Sequence, residues 1–234
     1  MEIDTLYNSN CIDFMKDMED KSVDFTLTDI PYGNVNKNVN HEKCQRKAAH
    51  LFVGDADVET FGLEDFLPEV KRVTKNSAMI FCGIEQTVPI LHFFKEAGWS
   101  ARHMVWVKTN PSPLNKEFMY VSSHENAVWA KRPGAKFHAD DYRDWFEFPI
   151  GGASSTGMEK IHPTEKNHTM LGKLIADNTD PGDLVFDPCA GSASALFVAG
   201  KMGRHFLGCE LRKEFFDKAK ARLDKVGFQK SLFE

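Results

Sequence analysis

The chain has no long apolar run, no cysteine framework and no excess of positive charge, and each lack narrows what it can be. Its five cysteines, Cys11, Cys44, Cys82, Cys189 and Cys209, are odd in number, scattered, and include no C-x-x-C pair. That argues against a disulfide scaffold and a cysteine zinc site, and fits a reducing cytoplasm. His41 and Cys44 lack partners at metal-ligand spacing, so no metal is expected. No stretch approaches the ~20 apolar residues that a membrane span needs. The opening MEIDTLYNSNCIDF lacks a basic segment followed by an apolar run, so no signal peptide is expected. Basic residues number 29 against 34 acidic, which excludes a globally basic nucleic-acid binder but not a local basic face. Internal repeats and low-complexity tracts are also missing.

What is there suits a single α/β domain over 1–234. Of the 234 residues 42% are hydrophobic, and 19 are Phe, enough for a sizeable core. Short runs rich in Val, Ile and Phe at 3–7, 23–28, 78–82, 103–107, 126–130, 184–187 and 205–209 read as strands. They alternate with helical patterns at 13–18, 63–73, 86–97, 168–178, 193–202 and 213–226, two of which Pro68 and Pro89 should shift or kink. The expected architecture is a mostly parallel seven-stranded sheet with one antiparallel strand and helices on both faces.

Two stretches resist assignment. Residues 33–60 are polar and Asn-rich, with Lys37, Lys43, Arg46 and Lys47 against Glu42 between 34 and 50. They read as a basic, mobile loop. Residues 131–162 are rich in Gly, Pro and aromatics, and lie in or beside a second basic run that includes Lys108, Lys131, Arg132 and Lys136. Long irregular segments of this kind usually carry function.

Two motifs carry chemistry. Over 180–210 a buried strand enters the small-residue loop Pro188–Ser194, a helix follows, and a second strand ends at Glu210. This is half of a nucleotide-binding α/β unit, whose terminal acid bonds ribose hydroxyls. G-x-G-x-x-G is absent and only Gly191 sits in the loop, so a pyrophosphate finds little close backbone. A phosphate-free adenosine ligand, S-adenosylmethionine, fits better. The second motif is Asp29-Ile30-Pro31-Tyr32 at the end of a strand. A carboxylate at the mouth of an open α/β sheet, beside a flat aromatic face, suits an aromatic amine.

Together these segments resemble the amino-methylating DNA methyltransferases in their circularly permuted β arrangement. Asp29-Ile30-Pro31-Tyr32 is similar to the family's D-P-P-Y catalytic motif. Phe186-Asp187-Pro188-Cys189-Ala190-Gly191-Ser192 is similar to its D-P-F-x-G-S-G cofactor loop. His162-Pro163-Thr164-Glu165-Lys166 is similar to its H-P-T-x-K-P segment, and the motif order fits the permuted class. There are four departures: Ile30 and Asn167 for prolines, Ala193 for a glycine, and Asn10 where an Asp is common. Ile30 is expected to loosen the catalytic loop, and the Cβ of Ala193 to crowd the cofactor.

The resemblance implies direct methyl transfer from S-adenosylmethionine to the N6 amine of an adenine flipped out of double-stranded DNA. It implies catalytic Asp29, Ile30, Pro31 and Tyr32. Cofactor contacts would come from Asn10, Cys11, Asp29, His162, Thr164, Lys166, Phe186, Asp187, Pro188, Ala190, Gly191, Ser192, Glu210 and Leu211, with Thr164 and Lys166 over the carboxylate end. Lys37, Lys43, Arg46, Lys47, Lys108, Lys131, Arg132 and Lys136 would hold DNA phosphates, and 131–161 would recognise the target. A catalytic Cys189 is disfavoured by its place inside the cofactor loop, and His124-Glu125 is left between a substrate contact and a structural role. Alternatives are N4-cytosine as target, RNA or protein amides as substrate, and a silent DNA-binding module. A cytoplasmic monomer or homodimer from a bacterium or phage completes the expectation.

Overall fold

A computed structural model describes residues 1–32, 61–111, 120–151 and 165–224. The described strands are β1 (Thr5–Tyr7), β2 (Val23–Asp29), β3 (Thr74–Cys82), β4 (Ser100–Lys108), β5 (His124–Lys131), β6 (Trp145–Phe148), β7 (Leu184–Asp187) and β8 (His205–Cys209). The described helices are α1 (Cys11–Lys16), α2 (Leu63–Val73), α3 (Ile84–Glu96), α4 (His168–Asn178), α5 (Ser194–Lys201) and α6 (Lys213–Leu223). The strands form one sheet in the order β1-β8-β7-β2-β3-β5-β4-β6. Among the described strands only β5 runs against its neighbours, pairing antiparallel with both β3 and β4.

All seven expected strands are present, and β6 is an eighth at the sheet edge. It pairs parallel with β4, Trp106 opposite Phe146. Its four residues fall in the stretch expected to be an insertion, where a short strand among glycines and prolines has no period to reveal it. Phe146 is buried in the core and the Phe148 carbonyl accepts the indole N–H of buried Trp106 at 2.9 Å. Trp145 stays partly exposed under the Arg143 guanidinium, 4.3 Å from the ring centroid.

Alternation along the strands divides the core in two. Phe25, Leu27, Met79 and Phe81 point to the face covered by Met170, Leu174, Leu196, Ala219 and Leu223 of α4, α5 and α6. Val23, Ala78, Ile80 and Cys82 point to the face covered by Phe14, Phe66, Val70, Ile90 and Phe94 of α1, α2 and α3. Helices therefore cover both faces, as a parallel sheet requires. Pro68 and Pro89 lie inside α2 and α3 without ending them. Both are exposed, on the outer sides of their helices. At Gly208 a Cβ would come within 2.6 Å of Leu196 and 2.8 Å of the Asp187 carbonyl, so glycine lets α5 sit close on β7 and β8.

Candidate active site

The carboxyl ends of β7, β8, β2, β3 and β4 and the amino end of β5 meet at one rim of the sheet. There they enclose a cavity of about 640 Å³. Such a rim is where open α/β sheets bind ligands. Its lining runs without a break from Asp187 and Glu210 on one side to Asp29 and Tyr32 on the other.

On the first side the loop after β7 turns through Gly191 and Ala193, both in left-handed backbone. Glu210, at the end of β8, is almost buried, and its carboxylate accepts the Gly191 N–H at 2.9 Å and the Arg212 N–H at 2.8 Å. Burial raises its pKa, and those two N–H groups only partly oppose the shift. The Gly191 amide is therefore already committed to a carboxylate and is not offered to a phosphate. That supports an adenosine ligand without phosphates, and the residues present fit S-adenosylmethionine. Leu211 and Phe215 add apolar surface to this end. Phe215 was missed in the sequence because it lies on α6, five residues past the recognised acid.

Asp187 is more deeply buried, and burial pushes its carboxyl up to about 7. A carboxyl raised on folding favours the folded state below its ordinary pKa and loses that contribution as pH rises through the raised value. Asp187→Asn is therefore expected to stabilise the ligand-free protein by about 2–4 kcal/mol at pH 8 and by little at pH 4. Thermal melts of both forms across that range check it. A stabilisation independent of pH would contradict the assignment.

On the other side Asp29 ends β2. Its Oδ1 accepts the Tyr32 hydroxyl at 2.8 Å and its Oδ2 meets the Lys166 ammonium at 2.7 Å. Burial pushes Asp29 above the usual carboxylate range, and Lys166 pulls it back without cancelling the effect. Burial, followed by the nearby carboxylate of Asp29, keeps Tyr32 a phenol.

The departures from the resembling motifs have local reasons. Ile30 donates its N–H to the Phe81 carbonyl at 3.1 Å, a bond proline cannot make, and its side chain is 1% exposed. That hydrogen bond ties the loop to β3 without the ring. Gln86, absent from the expected site, holds the same loop from α3. It caps the Gly83 N–H at 2.8 Å and donates to the Pro31 carbonyl at 2.9 Å. Its signal was the capping spacing, a Gln three residues past the cap. Ala193 is fully buried in the core and is not among the residues that line the cavity. Asn167 caps α4, accepting the Met170 N–H at 3.0 Å. Asn10 caps α1 through Oδ1, accepting the Ile12 N–H at 2.9 Å, while lining the cavity.

Of the remaining expected cofactor residues, Cys11, Lys166, Asp187, Pro188, Ala190, Gly191, Ser192 and Leu211 line the cavity together with Asp29, Ile30, Pro31 and Tyr32. Phe186 does not: it is fully buried beside Phe14 and supports the loop from behind. Lys166 lies against Asp29, one residue before Asn167, the cap of α4. Cys189 and Cys11 are both free thiols that share a hydrogen bond, and that hydrogen bond together with burial pushes the Cys189 pKa well up, unlike an activated nucleophile. His162, Thr164, Lys37, Lys43, Arg46, Lys47 and Cys44 lie outside the described residues.

The structure does not bring the expected phosphate contacts together at the Asp29 rim. Lys131 ends β5 opposite Ser77 and Ser100, at the far rim of the sheet from Asp29. It donates to the Ala135 carbonyl at 3.0 Å. Arg132 donates to the carbonyls of Lys71 and Thr74, and its guanidinium stacks on Trp99. Lys136 pairs with Asp180 and Asp183, which precede β7. An antiparallel strand delivers its carboxyl end to the opposite rim, which charge counting along the sequence cannot register. Lys108 is at the correct rim but pairs with Glu125 at 2.9 Å.

The sequence profile of the N6_N4_Mtase family, DNA methylases, matches residues 23–221. The chain belongs to that family. Among proteins similar to this methylase is the type II methyltransferase M2.MboI of Moraxella bovis, 24% identical over 94% of this chain and 88% of its own. The type II methyltransferase M.HinfI of Haemophilus influenzae is 25% identical over 96% of this chain and 69% of its own. The crystal structure of the M1.HpyAVI–SAM complex superposes with a TM-score of 0.70 at 26% identity, covering 94% of this chain and 98% of that one. The cytosine-N4-specific PvuII DNA methyltransferase shares the fold, with a TM-score of 0.67 at 16% identity over 95% of this chain and 89% of that one. No described helix of the methylase is long and apolar enough to cross a membrane.

Proposed function

We propose that the methylase transfers a methyl group from S-adenosylmethionine to the N6 amine of an adenine flipped out of double-stranded DNA. The observation that carries this reading is the single cavity joining the Glu210 pocket to Asp29 and Tyr32. The cofactor supplies a methyl group on a sulfonium, whose C–S electrons stay with sulfur when the methyl leaves.

An exocyclic adenine amine is a poor nucleophile because its lone pair is delocalised into the ring. Asp29 and the Ile30 carbonyl, two acceptors side by side, would hold its two N–H groups and free the lone pair to form the new N–C bond. Positive charge grows on that nitrogen, and the Asp29 carboxylate is preorganised to stabilise it. Its raised pKa also suits it to take the surplus proton and release it to solvent. Tyr32, fixed through its hydroxyl, offers its ring face to the base. Glu210 would accept the ribose hydroxyls, with Leu211 and Phe215 against the adenine of the cofactor.

The choice of adenine over cytosine is what the resemblance to the family's motif implies, with Asp29 at its head. The test is methyl transfer from labelled S-adenosylmethionine to unmethylated DNA, with the product nucleosides identified by mass spectrometry. N6-methyladenine is expected. N4-methylcytosine would overturn the choice of base, and product on RNA or protein but not on DNA would overturn the substrate.

A further inference from the structure

Beyond Asp29 and Tyr32, the rim holds a chain of alternating charge that the catalytic motif does not contain. Lys108 ends β4 and Glu125 lies second in β5. Antiparallel pairing sets Glu125 opposite Trp106 and brings both charged groups to the Asp29 rim. Glu125 accepts Lys108 on one oxygen at 2.9 Å and Lys166 on the other at 2.6 Å. Lys166 in turn reaches Asp29 at 2.7 Å and the Tyr32 hydroxyl at 3.2 Å. Lys108 and Lys166 are only 12% and 10% exposed along their side chains, so these contacts act in a partly dehydrated setting. The Lys166 ammonium also lies within 6 Å of the Phe81, Tyr32 and Trp106 ring centroids, which leaves it little room to move.

We propose that Glu125 is a positioning residue of the transfer reaction, acting through Lys166 to set how strongly Asp29 accepts the target amine. This rests on the reading of Asp29 as the amine acceptor. One ammonium is shared by two carboxylates. The more of Lys166 that Glu125 takes, the less is neutralised on Asp29, and the better Asp29 serves as an acceptor. Lys108 works in the opposite sense, because it occupies Glu125 and releases Lys166 toward Asp29. Burial pushes Glu125 up, but Lys166 and Lys108 outweigh it and hold it at about 2, whereas Asp29 stays raised. Among the described residues, the other titratable groups around Asp29 are Tyr32, Cys82 of β3 and Asp187 of β7, with His124 on the cavity wall. Burial pushes Cys82 up to about 11, so it stays neutral through the working range.

The inference predicts opposite effects from two substitutions. In Glu125→Gln the whole of Lys166 turns to Asp29, and the single-turnover methylation rate on saturating DNA falls about tenfold. Its acid limb moves to lower pH by about one pH unit, the scale of one neighbouring charge. In Lys108→Met the acid limb moves to higher pH. Cofactor affinity, measured by calorimetry, stays within about twofold in both. Limbs that stay in place, or that move in the same direction in both variants, would overturn the inference, as would a rate loss in Glu125→Gln matched by lost cofactor binding. A wild-type chain that methylates no DNA would instead remove the underlying reading of Asp29, so the two failures are distinguishable.

Discussion

Asp29→Ala lowers the turnover number on DNA by about 10³-fold or more. The expectation comes from what the carboxylate does when charge appears on the amine nitrogen. Removing one preorganised hydrogen-bond partner of a developing charge costs about 10²–10³ in rate, and Asp29 supplies a full negative charge as well. Asp29→Asn keeps an acceptor oxygen in place without that charge and retains more of the rate than the alanine. The fold tolerates either change, because Lys166 keeps Glu125 as a partner at 2.6 Å and no buried charge is stranded. Single-turnover rates alongside far-ultraviolet circular dichroism separate the two effects. A folded Asp29→Ala chain with a rate within tenfold of the parent would remove Asp29 from the chemistry.

The second large effect is on stability. Arg222, near the end of α6, is almost buried and meets Glu165 at 2.7 Å. Glu165 has no exposed side-chain surface. The guanidinium also donates to the Ser192 carbonyl at 3.1 Å and the Ser194 hydroxyl at 3.3 Å. One side chain thus joins the last described helix, the cofactor loop and the segment that carries Lys166. Breaking a buried pair from one side costs about 3–5 kcal/mol, and the lower end applies here because the His168 ring also meets the Glu165 carboxylate at 3.1 Å. Arg222→Ala should therefore lower the melting temperature by about 10 °C in a chain of this size. The double variant Arg222→Met with Glu165→Gln should lose less than the sum of the single changes, since neither charge remains. Additive losses would show that the pair is not coupled.

Neither Arg222 nor Glu165 was singled out in the sequence as a partner, because a contact between residues 57 positions apart carries no local period. The legible parts were those with local grammar. Alternating apolar runs marked seven strands, and carboxylates at strand ends with a glycine between marked Asp29, Asp187, Gly191 and Glu210, all of which line one cavity. Contacts made by register were not legible. Glu125 reaches the rim because β5 is reversed, and the same reversal carries Lys131 away from it. Trp145–Phe148 was hidden by its shortness, yet it holds Trp106 in place. Gln86 and Asn167 were readable only as caps, and the tie from Gln86 to Pro31 needs the fold.

The backbone bond at Ile30 also bears on how the catalytic motif can vary. With its N–H on Phe81 and its side chain shut in the core, this position is anchored by the sheet instead of by a ring. Putting proline there would remove a donor and a packed side chain at once. What the position supplies to the site is a fixed carbonyl beside a strand-end carboxylate. A lineage can exchange the residue that fixes it, provided the neighbouring strand already offers an acceptor, and the motif's boundary is then drawn by geometry and not by spelling.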